Sequence, residues 1–193
     1  SCDSVYYADS FNPKRFIRTD CIFSKAHEER LAELKYVAYS LGAKSCSIEI
    51  SEATTEVEVS KKKALIGGGS QIHGIKASSS ESAEQNVSAK NAMQRSGKIT
   101  AEFEGSDNPK KPKLKWFAND DNIKRLVEMR CKGNNTLKSE TLFLSGTSSA
   151  TMSQKSACAI DNAIGAMKMK GGSTMESQLI KETSCTLIYS IEF

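Results

Sequence analysis

Histidine is almost missing from this chain: His27 and His73 are the only two in 193 residues. That scarcity removes most histidine chemistry. The run His27-Glu28-Glu29-Arg30 opens like a zinc-protease helix, but Leu31 stands where the second ligand belongs. No two of the six cysteines, Cys2, Cys21, Cys46, Cys131, Cys158 and Cys185, are separated by the two-residue gap of zinc fingers and ribbons. Runs of ~18 apolar residues, the length a membrane-spanning helix needs, are missing too. The opening Ser1-Cys2-Asp3 has neither the charged nor the apolar part of a signal peptide. Charge of one sign is not dominant either. Lysine and arginine total 27 and aspartate and glutamate 23, a net +4 that suits a polyanionic partner without demanding one.

What is present describes one α+β domain over residues 1–193. A chain of this size buries a real core without disulfide or metal staples. Cys46 and Cys185 fall in alternating strand patterns and Cys158 on the apolar side of a helix, where free cysteine behaves as a small hydrophobe. This placement favours a cytoplasmic, reducing setting, with secretion as the alternative raised by the sequons at Asn86 and Asn134. The first residue is Ser1 and the last residues read as a strand running to the chain's end, so the chain reads as a piece excised from a longer one.

Periodicity predicts the elements. Leu31, Leu34, Ala38 and Leu41, with Val37 beside them, form one stripe of a helix capped by Ser24 and stopped by Gly42. Ser45 to Ile50 alternates as a half-buried strand, and Thr55 to Ser60 reads as its hairpin partner. Ser78 to Arg95 reads as a thinly amphipathic helix, and Ile99 to Phe103 as a strand. A helix capped by Asn119 runs to Gly133, and Thr141 to Leu144 is a strand. Ser145 to Ser149 reads as a loop. Met152 to Met169 forms a helix with Ala157, Ile160, Ile164 and Met167 inward. Residues 173–181 fit either strand or helix, and Cys185 to Phe193 closes the chain as a strand. Residues 1–23 read as a loop or short strand over the core. The expected architecture is a mostly antiparallel sheet of about five or six strands with three to four helices packed on it. The pattern strand, Ser/Ala-rich helical stretch, strand occurs around 55–103 and again around 141–193, a loose internal echo.

Several motifs fail on inspection. Gly69 and Gly74 have the gap of a phosphate loop, but Ile75 takes the lysine position. Gly146-Thr147-Ser148-Ser149-Ala150 has Ala150 where a nucleophile elbow needs glycine. Ser60-Lys61-Lys62-Lys63 satisfies Ser-x-x-Lys but reads as a strand end with solvated lysines. Glu49, Glu56, Glu58, Glu102, Glu104 and Glu192 alternate along strands, as the solvent face of a half-exposed sheet requires.

One constellation survives as a candidate site. Lys110, Lys111, Lys113 and Lys115 lead into Trp116, and lysines beside an aromatic suit the backbone and bases of a single-stranded polyanion. The plainer reading is a solvated linker, with Trp116-Phe117 folded onto the core. Three function classes follow. The first is a non-catalytic interaction module with a protein or polyanion partner and no cofactor. The second is a membrane-inserting or pore-forming domain, in which the polar helical stretches at 78–97 and 147–172 convert to amphipathic hairpins. The third is a metal-dependent enzyme on a phosphorylated or nucleic-acid substrate.

Overall fold

The computed structural model describes residues 4–52, 97–132, 137–166 and 174–193. Six strands and four α-helices lie among them, in an α+β arrangement. The expected strand at 55–60, the helix at 78–95, the glycine run at 67–74, His73, both sequons and Met167 lie outside the described residues.

The chain begins with an antiparallel hairpin, β1 (Tyr6–Asp9) and β2 (Asn12–Arg18), where a loop or short strand was expected. A 3-10 turn then leads into α1 (Ile22–Ser40). This helix starts ahead of Ser24, whose hydroxyl donates back to Cys21 O at 2.9 Å instead of capping the first turn. Its expected stripe holds: Leu34, Val37 and Ala38 are fully buried, as is Leu41 just past the end. Gly42 takes φ +76°. Ala43 N–H donates to Ala38 O at 3.0 Å and Gly42 N–H to Tyr39 O at 3.1 Å, the paired bonds of a Schellman stop.

β3 (Ser45–Glu52) turns Cys46 and Ile48 into the core and Ser47 and Glu49 outward. It pairs antiparallel with β4 (Lys98–Glu102) on one edge and β6 (Cys185–Glu192) on the other, and β6 pairs with β5 (Ser139–Ser145). The four-stranded order is β4-β3-β6-β5.

α2 (Asp121–Cys131) and α1 cover the same face of the sheet. Ile123, Leu126 and Val127 meet Leu34, Val37 and Leu41 over Ile48, Leu144, Tyr189 and Ile191. Tyr189 is wholly buried, and its hydroxyl donates to Leu34 O at 2.6 Å. Burial, with the nearby Cys46 adding to it, pushes that phenol well above its ordinary value. The cap of α2 is Asp120 where Asn119 was expected. Asp120 Oδ1 accepts from Asn122 N at 3.0 Å and Ile123 N at 3.1 Å, and Oδ2 accepts from the Ser148 hydroxyl at 2.7 Å.

Residues 145–149, read as a loop, include a 3-10 turn at Gly146–Ser149. α3 (Gln154–Ala166) and α4 (Met175–Ser184) follow, so the undecided stretch before the last strand is helical. The Asp161 carboxylate on α3 accepts from Met175 N at 2.8 Å and Glu176 N at 3.1 Å, tying the start of α4 to its neighbour. A second cluster joins Ile17, Ile22 and Phe23 to Met152, Ala157, Met175 and Leu179, so α3 and α4 pack under the hairpin and the start of α1.

Candidate functional site

The basic segment divides. Lys110, Lys111 and Lys113 are exposed, Lys115 is half-buried and Trp116 is 8% exposed. Glu33 on α1 causes this division. Its carboxylate accepts from three successive backbone amides: Lys115 at 3.0 and 3.1 Å, Trp116 at 2.9 Å and Phe117 at 3.0 Å. These bonds turn the chain onto the helix. Lys115 Nζ then reaches Glu29 at 2.6 Å, and the Trp116 indole N–H reaches the same carboxylate at 3.2 Å. Phe11 stacks edge-on to Trp116, with centroids 4.8 Å apart. Trp116 therefore sits among protein groups, while three lysines project from the loop ahead of it.

Glu29 is the hub of this corner. Arg15 approaches it at 2.7 Å from β2. Partial burial opposes its ionisation, but the hydrogen bonds from Lys115 and Arg15 outweigh that effect and hold the carboxyl below its ordinary value.

Next to this corner lies a buried ion pair that sequence patterning did not reveal. Arg30 on α1 and Glu182 on α4 are bonded, with side chains 6% and 8% exposed. Arg30 Nε donates to Ser149 O at 2.8 Å and Nη2 to the Thr151 hydroxyl at 2.8 Å. Glu182 also accepts from Thr151 N at 2.9 Å and from the Thr151 hydroxyl. The guanidinium lies 4.9 Å from the Trp116 ring centroid. Buried charges persist when they are paired and hydrogen-bonded, and this network supplies both. Arg30 ends the charged run Glu28-Glu29-Arg30 on the helix, so spacing alone offered no signal for its burial.

The pair forms one wall of a cleft of about 600 Å³. Phe23, Leu31, Ile50, Ile99 and Leu187 supply its apolar surface, and His27, Lys181 and Cys185 lie on its walls. Ser149 also lines it, 3% exposed, with a hydroxyl that has no partner among the described residues. His27, the residue that opened the failed zinc motif, is thus placed on the cleft. Among the described residues no three His, Cys, Asp or Glu side chains gather closely enough to hold a metal ion. Cys21, Cys46, Cys131 and Cys158 are free thiols. No described helix is long and apolar enough to cross a membrane.

No protein-family model, no curated protein and no solved structure matches this chain.

Proposed function

We propose that the chain is a non-catalytic binding module whose cleft between α1, α4 and the sheet receives an apolar group of a partner. The observation that carries this reading is the cleft: about 600 Å³, an apolar surface from α1 and three strands, and charged groups at its margin. Volumes of roughly 300–1,000 Å³ with a few convergent polar groups are typical of binding pockets. Two further features support binding over reaction. Arg30 and Glu182 hold each other and the Ser149–Thr151 turn, so they shape the wall. The buried Ser149 hydroxyl offers a hydrogen bond that no described residue uses.

The probe is anilinonaphthalene sulfonate, an aromatic body with one anionic group. One saturable site is expected. Ile50→Trp, which fills the apolar surface, abolishes it, and Lys181→Glu weakens it. Absence of a saturable site, or binding unchanged by both substitutions, refutes the assignment.

One observation favours the membrane-inserting alternative as a second reading. Glu52 pairs with Cys185, so the chain after β3 and the connection before β6 leave the sheet at the same end. Both connections have the Ser/Ala/Lys-rich composition that amphipathic hairpins use. Dye release from anionic vesicles at micromolar protein supports this reading, and its absence removes it.

A further inference from the structure

The two outer edges of the four-stranded sheet complement each other. Among the described residues no strand pairs with the free edge of β4 or of β5. Unpaired edges are ready templates for another chain, and proteins usually blunt them with prolines, bulges or inward charges. β5 (Ser139–Ser145) has no proline and no irregularity in its ladder, and it exposes Phe143 at 64%.

We infer that these edges join two copies of this chain, β4 of one against β5 of the next. Strand direction allows it. β3, β4, β6 and β5 alternate, so an incoming β4 lies antiparallel to β5 and continues the ladder. Hydrogen-bond phase allows it too. Phe103 N–H donates to Lys44 O at 2.7 Å and Phe193 N–H to Lys138 O at 2.8 Å. Counting alternately from those bonds, Lys98, Thr100 and Glu102 present their backbone groups outward on one edge, and Ser139, Thr141 and Phe143 do so on the other. On both edges these are the residues whose side chains lie on the face away from the helices. No one-residue slip is needed to keep the core faces aligned.

The side chains agree with that register. The strand pairings place Thr100, Ser47, Ser190 and Thr141 on one level across the sheet. Carrying the levels across the junction sets Thr100 opposite Thr141, Ile99 opposite Leu142 and Lys98 opposite Phe143. These are a hydroxyl pair, an apolar pair and a cation over an aromatic face. Glu102 falls opposite Ser139 on the same face, and both are exposed. A groove of about 290 Å³ between α2 and β5, lined by Arg125, Leu126, Met129 and Leu142, lies where Ile99 of the incoming strand enters. The contact is head-to-tail, so it propagates into a ring or a filament.

The test is sedimentation velocity on the chain and on Thr100→Pro and Thr141→Pro. Each proline replaces an N–H that points away from the sheet, so the fold is retained. The unmodified chain is expected to form species that grow with concentration. Each variant alone is expected to remain a monomer. Mixed, the two are expected to form a dimer and nothing larger, because each keeps one good edge. Phe143→Lys, a change at an exposed residue that sets two lysines opposite each other at the junction, is the second variant and likewise stops association. A chain that stays monomeric to millimolar concentration overturns the inference. So does association that survives both prolines, or that survives Phe143→Lys if a proline variant fails to fold.

Discussion

Glu33→Ala should be among the most costly single substitutions in this protein. Glu33 is a charged residue at 9% exposure. Its partners are the backbone amides of Lys115, Trp116 and Phe117, and removing it leaves those N–H groups without that acceptor. A buried unsatisfied donor costs ~1–3 kcal/mol. The amides of Trp116 and Phe117 are buried and that of Lys115 is partly exposed, so the expected loss is about 4 kcal/mol. That is a large share of the ~5–15 kcal/mol that holds a domain folded. For a chain of this length it lowers Tm by roughly 8–16 °C. Glu33→Gln keeps one carbonyl acceptor and should lose about half as much. Trp116 is the only tryptophan, so its emission during urea unfolding reads the site itself. Glu128→Ala, on the exposed face of α2, is the control and should move stability by less than ~0.5 kcal/mol. A Glu33→Ala loss below ~1 kcal/mol would refute the account, because it would mean that water already satisfies those amides.

Leu34→Ala truncates a fully buried side chain at the centre of the main cluster and should cost ~2–5 kcal/mol by chemical denaturation. Gly42→Ala meets two obstacles, φ +76° and a Cβ built 2.0 Å from Ser106 O, so its Tm should fall clearly below that of an exposed Gly97→Ala control, whose Cβ meets nothing within 4 Å. Glu29 has a folded pKa below its ordinary value of 4.5, so its contribution to stability is present above about that pH and is lost as pH falls through the folded value. Glu29→Gln should therefore flatten the decline in stability measured below pH 4.5. Lys110, Lys111 and Lys113 changed together to Ser should leave folding nearly intact, since all three are exposed. If they contact a single-stranded polyanion, three phosphates give a log-log salt slope of about −2, which the triple variant flattens; a slope unchanged by the substitution removes these lysines from any site.

The parts legible in the sequence are those set by short-range periodicity. The α1 stripe of Leu34, Val37, Ala38 and Leu41 and the alternation of Cys46 and Ile48 repeat at 3.6 and 2.0 residues, so each element's buried face follows from its own residues. Gly42 marked the end of α1 because left-handed backbone favours glycine. The α+β class followed from these elements together. Boundaries were less legible. Ser24 and Asn119 look like caps, but Ser24 bonds back to Cys21 and the helix after Asn119 is capped by Asp120, since the hydrogen-bonding geometry decides among neighbouring polar residues.

Tertiary structure alone decided the rest. Lysines 110, 111, 113 and 115 are adjacent in sequence and chemically alike, yet Lys115 and Trp116 are drawn inward because Glu33 and Glu29 sit one helical turn apart on α1, facing them. Arg30 and Glu182 are 152 residues apart and carry no local pattern that predicts their pairing. The strand order β4-β3-β6-β5, and with it the two outer edges, depends on which apolar faces find one another across long separations in sequence. Local sequence determines which side of an element is apolar. Which distant element covers that side is settled only when the whole core closes, because burial is non-directional and the hydrogen bonds of buried polar groups must all be met in the same packing.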